Sequence, residues 1–335
     1  HQYMKTKTLF LIVFISLSLQ MTAQQNTVFI EGFAQGTTYH ITYIDKENRN
    51  LKQEIDGLLS DFDLSVSTYN PNSIISKINT NKQVIVDDYF KACFKKAKKI
   101  WKLTNGAFDP TVFPLVNAWG FGPHKKESID QSKIDSILEF VGFDKIEIQG
   151  NTVVKKDPRI KLDFNALAQG YSVDVVSAFL ESKSINSYLV EIGGEVYAKG
   201  KKSEFSMWKI GIEQPEENKE SENPIIAIVS LDNRAVATSG NYRKFIELEN
   251  GFKYAHHINP ITGYPTKNNV LSVSVFSKKC IISDAMATAF LVMGLPKTLE
   301  YLKKHREIDA FLIYSDEFGN YNVYQTEGLR SLIEK

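Results

Sequence analysis

The sequence predicts an α+β fold in which mixed, largely antiparallel sheets pack against helices. Segments with helical and with strand periodicity occur without the strict strand–helix–strand alternation of a parallel sheet. Neighbouring strand patterns are separated by short turn signals, so hairpins are frequent. Hydrophobic residues make up 43% of the 335 residues, enough to bury an extensive core. These observations exclude a disordered chain.

Each predicted element rests on its own apolar spacing. Helices, with apolar residues three and four apart, are predicted over residues 51–62, 90–101, 132–141, 166–180, 284–293 and 296–305. Strands, with alternating or β-branched residues, are predicted over residues 40–44, 146–148, 152–154, 245–248 and 252–255. The last four strands form two hairpins around Gly150-Asn151 and Asn250-Gly251. Pro296 suits the first position of its helix.

The N-terminus has the pattern of a secretory signal peptide. Lys5 and Lys7 precede an apolar run over residues 9–15, and small residues follow up to Ala23. This run is shorter than the roughly 20 residues that span a bilayer, so a retained membrane anchor is the weaker alternative. We expect residues 1–23 to be a signal peptide, with residues 1–3 an upstream extension. Residues 24–335 would then form a single exported, periplasmic domain.

Charge and cysteine content exclude further classes of protein. Forty Lys and Arg oppose 39 Asp and Glu, so no chain-wide basic field favours nucleic acid, and we expect no nucleic-acid partner. Cys93 lies within a helical pattern, and Cys280 ends a strand pattern. We expect two buried thiols rather than a disulfide, and the leader has no lipid-attachment cysteine. Residues 213–223 are acidic and polar, as in a solvated loop.

Polar and glycine-rich segments interrupt the core patterns in the first part of the chain. Residues 36–39 and 67–79 fit a turn and a helix cap, although Tyr69 can offer its ring to a planar ligand. Residues 106–122 contain two prolines, three glycines and several aromatic residues. This composition predicts a shaped loop rather than a helix or a central strand. Such a loop serves either a ligand or the edge of the core.

Two later segments place polar side chains at the ends of predicted strands. A strand ending at Asp163 is followed by a helix that Asn165 caps, and a helix start is a natural seat for phosphate; a plain cap is the alternative. Another strand leads into His256 and His257, which point to opposite faces. A histidine at a strand end beside a rigid turn is placed to act as a general base, although a lone histidine is more often structural.

The last segment places two oxygen ligands one helical turn apart. Asp284 and Thr288 are four residues apart in a helix that Ser283 caps, so their β-carbons lie about 6 Å apart on one face. A carboxylate and a hydroxyl suit Mg²⁺ together with phosphate oxygens. The alternative is that Asp284 complements the helix dipole in the first turn. The sequence has no thiolate or histidine cluster of the kind that zinc prefers.

Eight motifs in this order resemble those of the bacterial FAD:protein FMN transferases, the ApbE flavin transferase family. They are GTTY, STYNPNSIISKIN, GAFDPTVFPLVNAWGFG, LDFNALAQGYSVD, EIGGEVYAKG, VATSGNYRKF, HHINPITGYP and SDAMATAFLVMG, from Gly36 to Gly294. Eight ordered motifs are far more specific than one short pattern. The resemblance implies a T-fold-like α+β domain and an exported, Mg²⁺-dependent enzyme. Such an enzyme cleaves FAD, attaches FMN to a Thr or Ser hydroxyl of an acceptor flavoprotein and releases AMP.

The resemblance also implies the residues of the site. His257 would be the general base, and Mg²⁺ would be bound by Asp284, Thr288 and the backbone carbonyl of Ala166. The implied FAD contacts are Gln35, Tyr69, Ala118, Trp119, Gly120, Asp163, Gln169 and Ile258, with Tyr69 against the isoalloxazine ring. Three stretches differ from the commoner motif. Phe164-Asn165-Ala166 stands for Leu-Gly-Gly, Gln169 for a charged residue and Gln35 for methionine.

Two other functions remain open from the sequence. The same site could hydrolyse FAD to FMN and AMP with water, or the protein could bind flavin without turnover. His257 argues against binding alone, because a flavin store needs no base. Many relatives are lipoproteins, whereas this chain lacks the required cysteine. We therefore expect a soluble exported form whose acceptor is a membrane redox-complex subunit.

Overall fold

The computed structural model describes residues 26–121, 129–215, 225–240, 245–247, 253–255 and 257–334. The predicted signal peptide lies outside this part of the chain. So do most of the acidic loop over residues 213–223, the turn Asn250-Gly251, and the single residues Gly122 and His256.

The predicted α+β class is confirmed, and the described residues form eight helices and fifteen strands. The helices are α1 (Lys52–Val66), α2 (Ile74–Asn79), α3 (Asp88–Leu103), α4 (Phe113–Ala118), α5 (Gln131–Leu138), α6 (Asn165–Ser182), α7 (Cys280–Lys304) and α8 (Glu327–Arg330). The first eight strands are β1 (Thr27–Ala34), β2 (Thr37–Ile44), β3 (Ile146–Gln149), β4 (Thr152–Lys155), β5 (Tyr188–Ile192), β6 (Glu195–Lys199), β7 (Lys201–Ser203) and β8 (Ser206–Glu213). The others are β9 (Ile225–Leu231), β10 (Arg234–Gly240), β11 (Phe245–Glu247), β12 (Lys253–Ala255), β13 (Val270–Ser277), β14 (Asp309–Ser315) and β15 (Tyr321–Gln325).

A sheet of eight strands forms the centre of the fold. Its order is β1-β2-β5-β6-β10-β13-β14-β15, and all neighbours are antiparallel. Alternate residues of β6 pack into two different hydrophobic cores, because successive side chains of a strand point to opposite faces. Tyr197 packs with α1 and α6 on one face, whereas Val196 and Ala198 pack with β8, β9 and α8 on the other. The sheet therefore separates a helical layer from a smaller three-stranded sheet.

The two predicted hairpins are present. Strand β3 pairs with β4 from Ile146↔Lys155 to Gln149↔Thr152, and β11 pairs with β12. Among the described helices, α7 alone is long and apolar enough to cross a membrane, but 61% of its apolar window is buried inside the protein. It packs against α6, β10 and β13, as a core helix does.

Helix α7 begins earlier than the sequence predicts. Cys280 does not end a strand, because β13 stops at Ser277 and Cys280 opens the helix. The carboxylate of Asp174 in α6 accepts hydrogen bonds from the amides of Cys280 (2.9 Å) and Ile281 (3.0 Å). It thereby satisfies two amides that an α-helix leaves unpaired at its start. Ser283 lies inside the helix rather than at its cap. The two cysteines are buried free thiols, as predicted.

The break between the two predicted C-terminal helices is real. Gly294 interrupts α7 with a φ of 74° and a ψ of 171°, a conformation that glycine adopts without steric cost. Pro296 follows it, at the start of the second helical part. The prediction of two helical segments therefore identified this interruption.

Candidate active site

Helices α6 and α7 bring the predicted metal ligands together. The amide of Gly170 in α6 donates a hydrogen bond to Oδ2 of Asp284 in α7 at 2.9 Å. Asp284 is therefore held against the second turn of α6, and Ala166 lies one turn earlier on the same helix. A Cβ atom at Gly170 would come within 2.5 Å of the Cys280 carbonyl oxygen, so only glycine permits this helix contact.

Thr288 lies one turn after Asp284 on α7, as the spacing predicts. Its Oγ1 is 3.3 Å from Oγ of Ser239 in β10, within hydrogen-bond distance. The sequence did not identify Ser239 as a site residue. The signal for it was present, because Ser239 belongs to one of the family-like motifs. Its neighbour Thr238 points away, to Oγ of Ser274 at 2.7 Å, so the strand alternation selects Ser239 for the site.

The carboxyl group of Asp284 is buried, and it forms no ion pair with a side chain of the described residues. Burial raises its pKa to about 7, and the hydrogen bond from Gly170 opposes that rise. An ionised carboxylate in such a place needs a counter-charge. Because the first turn of α7 contains no acidic residue, the alternative that Asp284 complements the helix dipole from that turn is wrong.

The ligand types fit a hard cation. A carboxylate, a hydroxyl and a backbone carbonyl are all oxygen donors, which Mg²⁺ prefers. In the part of the chain that the structure describes, no three His, Cys, Asp or Glu side chains lie close enough to hold a metal ion. Of the three predicted metal ligands, Asp284 alone is a carboxylate, so a phosphate-bearing ligand could supply further oxygen donors.

The start of α6 differs from the prediction. Residues 161–164 form no strand, so Asp163 does not end one, and Phe164 rather than Asn165 is the N-cap. The reason is the Asp163 carboxylate, which accepts hydrogen bonds from the amide of Asn165 (2.8 Å) and from its side-chain Nδ2 (3.3 Å). With these hydrogen bonds, Asn165 becomes the first residue of the helix instead of its cap. Burial raises the pKa of Asp163 to about 6.

Tyr69 lies beside Asp163. Its pKa is raised by burial and by the negative charge of Asp163, although 68% of the residue is exposed. It lies in the turn before α2, whose N-cap is Ser73, so the predicted turn and helix cap are confirmed. An exposed ring next to a carboxylate is available to stack on a planar group.

Two glutamines connect the first turns of α6 to the central sheet, Gln35 from the turn between β1 and β2 and Gln169 from α6 itself. Gln35 occupies the tight turn between β1 and β2 with a φ of 54°. Its Oε1 accepts a hydrogen bond from Oγ of Ser172 at 3.2 Å, and its buried Nε2 has no partner among the described residues. Gln169 donates from Nε2 to the Ile192 carbonyl at 3.1 Å, next to Gly193. A Cβ atom at Gly193 would overlap Gln169.

The segment over residues 106–122 is partly helical, which corrects the prediction of an irregular loop. A 3₁₀ turn over Pro110–Val112 leads into α4, and Pro114 lies in the first helical turn, where proline is tolerated. Gly120, which follows the C-cap residue Trp119, has a φ of 84° and terminates the helix. The amides of Gly120 and Phe121 donate to the carbonyls of Asn117 (2.9 Å) and Val116 (3.0 Å), the pattern of a Schellman motif.

The end of α4 contacts the turn that follows His257. The indole Nε1 of Trp119 donates to the Gly263 carbonyl at 2.8 Å, and Ala118 and Trp119 are buried. Ile258 forms an isolated β-bridge with Pro265, which closes the turn after His257. The Thr266 amide donates to the His257 carbonyl at 2.8 Å. His257 is thus a buried residue of a rigid turn.

The predicted residues form two groups on one framework. The first group, around the start of α6, consists of Gln35, Tyr69, Asp163, Ala166, Gln169, Asp284 and Thr288. The second group consists of Ala118, Trp119, Gly120, His257 and Ile258. The Asp163 amide donates to the Pro110 carbonyl at 2.9 Å, which connects the start of α6 to the segment that leads into α4. Trp119 and Ile258 also belong to the same apolar core as Leu167 and Ala285.

Comparison with known proteins places this arrangement in a family. The ApbE family model matches residues 35–312. The FAD:protein FMN transferase of Haemophilus influenzae is 35% identical over 324 residues, with 91% of this chain and 92% of that protein covered. The protein of the same name from Vibrio cholerae is 34% identical, with 92% and 93% covered.

Solved structures agree with the sequence comparison. The flavin transferase ApbE from Vibrio cholerae has a TM-score of 0.82 at 33% identity, with 91% of this chain and 99% of that chain covered. The apo form of the Pseudomonas stutzeri flavinyl transferase ApbE has a TM-score of 0.80 at 30% identity, with 91% and 96% covered. Sequence and fold therefore agree, and the chain belongs to the ApbE family of flavin transferases.

Proposed function

We propose that this protein is a Mg²⁺-dependent FAD:protein FMN transferase that attaches FMN to a Thr or Ser hydroxyl of an acceptor flavoprotein and releases AMP. The observation that carries the proposal is the buried Asp284 carboxyl, which Gly170 of α6 binds and which has Thr288 one turn away on α7. A buried carboxyl that forms no ion pair among the described residues suits a divalent ion that in turn binds a diphosphate. The names of the relatives supply the reaction class.

The surrounding residues fit the parts of FAD. The exposed ring of Tyr69 offers a stacking surface to the isoalloxazine. Asp163, Gln35 and Gln169 present hydrogen-bonding groups around the start of α6, and the Nε2 of Gln35 lacks a partner among the described residues. Trp119, Gly120 and Ile258, in the second group of residues, would contact another part of FAD. Glycine at position 120 leaves room for a ligand close to the backbone.

His257 is proposed to take the proton from the acceptor hydroxyl. The acceptor oxygen forms a bond to the phosphorus of the FMN half, and the bond from that phosphorus to the bridging oxygen breaks, so that AMP leaves with the electron pair. Bound Mg²⁺ would supply charge neutralisation of the diphosphate. The rigid turn over residues 257–266 keeps His257 in place, and such a base typically contributes 10²–10⁴-fold.

The test is an incubation of purified protein with FAD and Mg²⁺, with and without an acceptor domain that contains a target threonine. Transfer predicts covalent flavin fluorescence on the acceptor in a denaturing gel, one AMP released for each flavin attached, and loss of both with EDTA. AMP with free FMN, independent of the acceptor, would instead show a pyrophosphatase. Absence of both products would leave only flavin binding and would refute the transferase.

We also propose that the protein works after export, on a membrane redox-complex subunit as acceptor. The support is the signal-peptide pattern of residues 1–23. Fractionation of the producing cell and N-terminal sequencing of the mature protein test this. A cytoplasmic protein that retains residues 4–23 would contradict it.

A further inference from the structure

Helix α3 presents an unusually basic face. Six of its sixteen residues are lysines, whereas Phe90, Cys93, Phe94, Ala97 and Ile100 face the core. A groove of about 620 Å³ runs between this face and strand β3, and its lining residues are Lys91, Phe94, Lys95, Lys98, Lys99, Lys102, Glu147 and Ile148. The formal charge of the whole chain is only +1. The positive charge is therefore a local feature of this groove.

The charge of the groove is only partly compensated within the described part of the chain. Lys91 is 3.9 Å from the exposed Asp88, whereas Lys95, Lys98, Lys99 and Lys102 form no ion pair there. Two carboxylates lie near these lysines: Glu147, which accepts a hydrogen bond from the side-chain Nε2 of Gln149, and Glu307, whose pKa the charge of Lys99 helps to lower. Like charges on adjacent turns repel one another. The pKa of the neighbouring lysine, Lys96, is lowered by burial and by the charges of Lys99 and Lys95.

The lining of the groove combines apolar and charged side chains. Phe94 and Ile148 contribute apolar surface, and five lysines contribute ammonium groups. Apolar surface flanked by polar side chains is the usual composition of a protein interface. The stretch from Lys91 to Lys102 rises about 16 Å along the helix, which matches about five residues of an extended chain.

A second cavity lies between the end of α3 and the proposed catalytic turn. It has a volume of about 340 Å³, and Trp101, Asn105, Pro260 and Ile261 are among its lining residues. Pro260 and Ile261 follow His257 by only three and four positions. The two cavities share no lining residue, but Lys102 of the groove and Trp101 of the second cavity are neighbours at the end of α3. The groove therefore ends near the part of α3 that faces the proposed catalytic turn.

We infer that this lysine groove docks an acidic, extended segment of the acceptor protein. The inference rests on the proposed transferase function, since a binding protein would have no acceptor. Charge complementarity would concentrate the acceptor and orient its target hydroxyl, and both effects act mainly on association. The groove thus selects acceptors by charge at a distance from the chemistry.

The first test measures peptide binding. The probe is a fluorescein-labelled peptide of four Glu-Leu repeats, and its anisotropy is followed with wild type and with the Lys95→Glu, Lys99→Glu, Lys102→Glu triple variant. A control triple variant makes the same charge change at exposed lysines of other elements, Lys46, Lys201 and Lys202. We expect the groove variant to bind at least tenfold more weakly than the other two proteins, and wild-type binding to weaken with salt. Equal binding by all three proteins would overturn the inference.

The second test measures transfer. With a soluble acceptor domain that has an acidic segment, the groove variant should show a KM for the acceptor about tenfold higher, with kcat and the KM for FAD unchanged. Lys→Gln at the same three positions should give an intermediate loss, and circular dichroism checks folding. An unchanged KM for the acceptor would refute docking while transfer stands. A wild type that binds the peptide but attaches no FMN would refute the transferase and not the peptide site.

Phosphatidylglycerol vesicles test the remaining possibility, that the lysines of the groove bind a lipid surface. Wild-type sedimentation with vesicles that the groove variant loses, together with unchanged peptide binding, would assign the lysines to a lipid surface. That result would overturn the inference. Loss of peptide binding without an effect on vesicles would support it.

Discussion

At the residue scale, a single substitution tests whether the hydroxyl of Thr288 binds Mg²⁺. Thr288→Val keeps the shape of the side chain but removes Oγ1, one of the proposed metal ligands. We expect the Mg²⁺ concentration for half-maximal turnover to rise about tenfold, since the loss of one ligand contact of about 1.4 kcal/mol has that effect. A titration of flavin transfer with Mg²⁺ measures it.

A matched control lies on the same helix. Thr298→Val removes the hydroxyl that donates to the Phe290 carbonyl at 3.2 Å, away from the site. It should lower the melting temperature without changing the Mg²⁺ requirement. If the two variants show the same Mg²⁺ dependence as wild type, Thr288 is not a ligand.

His257 is tested by a neutral replacement that cannot take up the proton. We expect His257→Asn to lower covalent transfer by 10²–10⁴-fold, with FAD binding retained because the turn is closed by backbone contacts of Ile258 and Thr266. In-gel flavin fluorescence and flavin quenching measure the two effects. His305→Asn, whose ring stacks on Tyr301 at 4.0 Å, serves as the control. Normal transfer by a folded His257→Asn protein would remove the proposed base.

The sequence predicted some site residues and missed others for a physical reason. Asp284 and Thr288 are one turn apart on one helix, so local periodicity is sufficient to place them together. Ser239 lies in a strand, and only the packing of β10 against α7 brings it to Thr288. Asn165 was misassigned as a cap because its alternative partner, Asp163, competes for its amide.

At the element scale, the contact between α6 and α7 depends on one glycine. In Gly170→Ala the new Cβ would meet the Cys280 carbonyl oxygen at 2.5 Å and Cβ of Asp284 at 2.7 Å. We expect the helices to separate, with a loss of about 1–3 kcal/mol in the free energy of unfolding. The Mg²⁺ requirement should also rise. Urea unfolding and the Mg²⁺ titration measure these changes.

A glycine in helix α1 provides a control, because its replacement by alanine should stabilise the protein. Gly57 lies inside it, and a Cβ there would meet nothing within 4 Å. Gly57→Ala should stabilise the protein by about 0.5–1 kcal/mol, because alanine loses less backbone entropy in a helix. A Gly170→Ala protein as stable as Gly57→Ala would show that the helix contact is not tight.

Elements with a strong local pattern were predicted well, and those defined by distant partners were not. Helices α1 and α3 agree with the predicted ranges to within a few residues. Helix α4 was missed because Pro110, Pro114 and Gly120 in and around it indicate an irregular loop, although Pro114 lies in the one turn that accepts proline. The start of α7 was missed because its cap comes from Asp174, in another helix.

At the scale of the whole molecule, buried carboxyl groups set a pH dependence. Burial raises the pKa of Asp109, Asp163 and Asp174 to about 6 and that of Asp284 to about 7. Between pH 4 and 7 the folded state therefore binds more protons than the unfolded state. Its stability is largest below that range and decreases as the pH rises through 6 to 7.

The metal-free protein should consequently melt at a higher temperature at pH 5 than at pH 8, by roughly 2 °C or more. Calorimetry with EDTA measures this. The pKa of Asp45 is lowered to about 2 by Arg49, so its protonation affects stability only in more acidic solution. Asp109→Asn should flatten the dependence by removing one of the groups. A melting temperature that decreases steadily from pH 8 to pH 5 would contradict the prediction.

The overall class was predictable, but the order of the central sheet was not. Hairpins such as β3 and β4 follow from turn residues next to apolar strands. The neighbours β6, β10 and β13 are far apart in sequence, and their pairing follows from shared burial on two faces. No local pattern reports such long-range pairing.

The contact between Gly170 and Asp284 joins positions 114 residues apart. A nascent chain that has not yet reached Asp284, or one that a premature stop codon ends before it, has the start of α6 but lacks the carboxyl that the Gly170 amide binds. We expect such fragments to be inactive, because they lack this proposed metal ligand. On the proposed function, the order of synthesis therefore delays activity until the polypeptide is nearly finished.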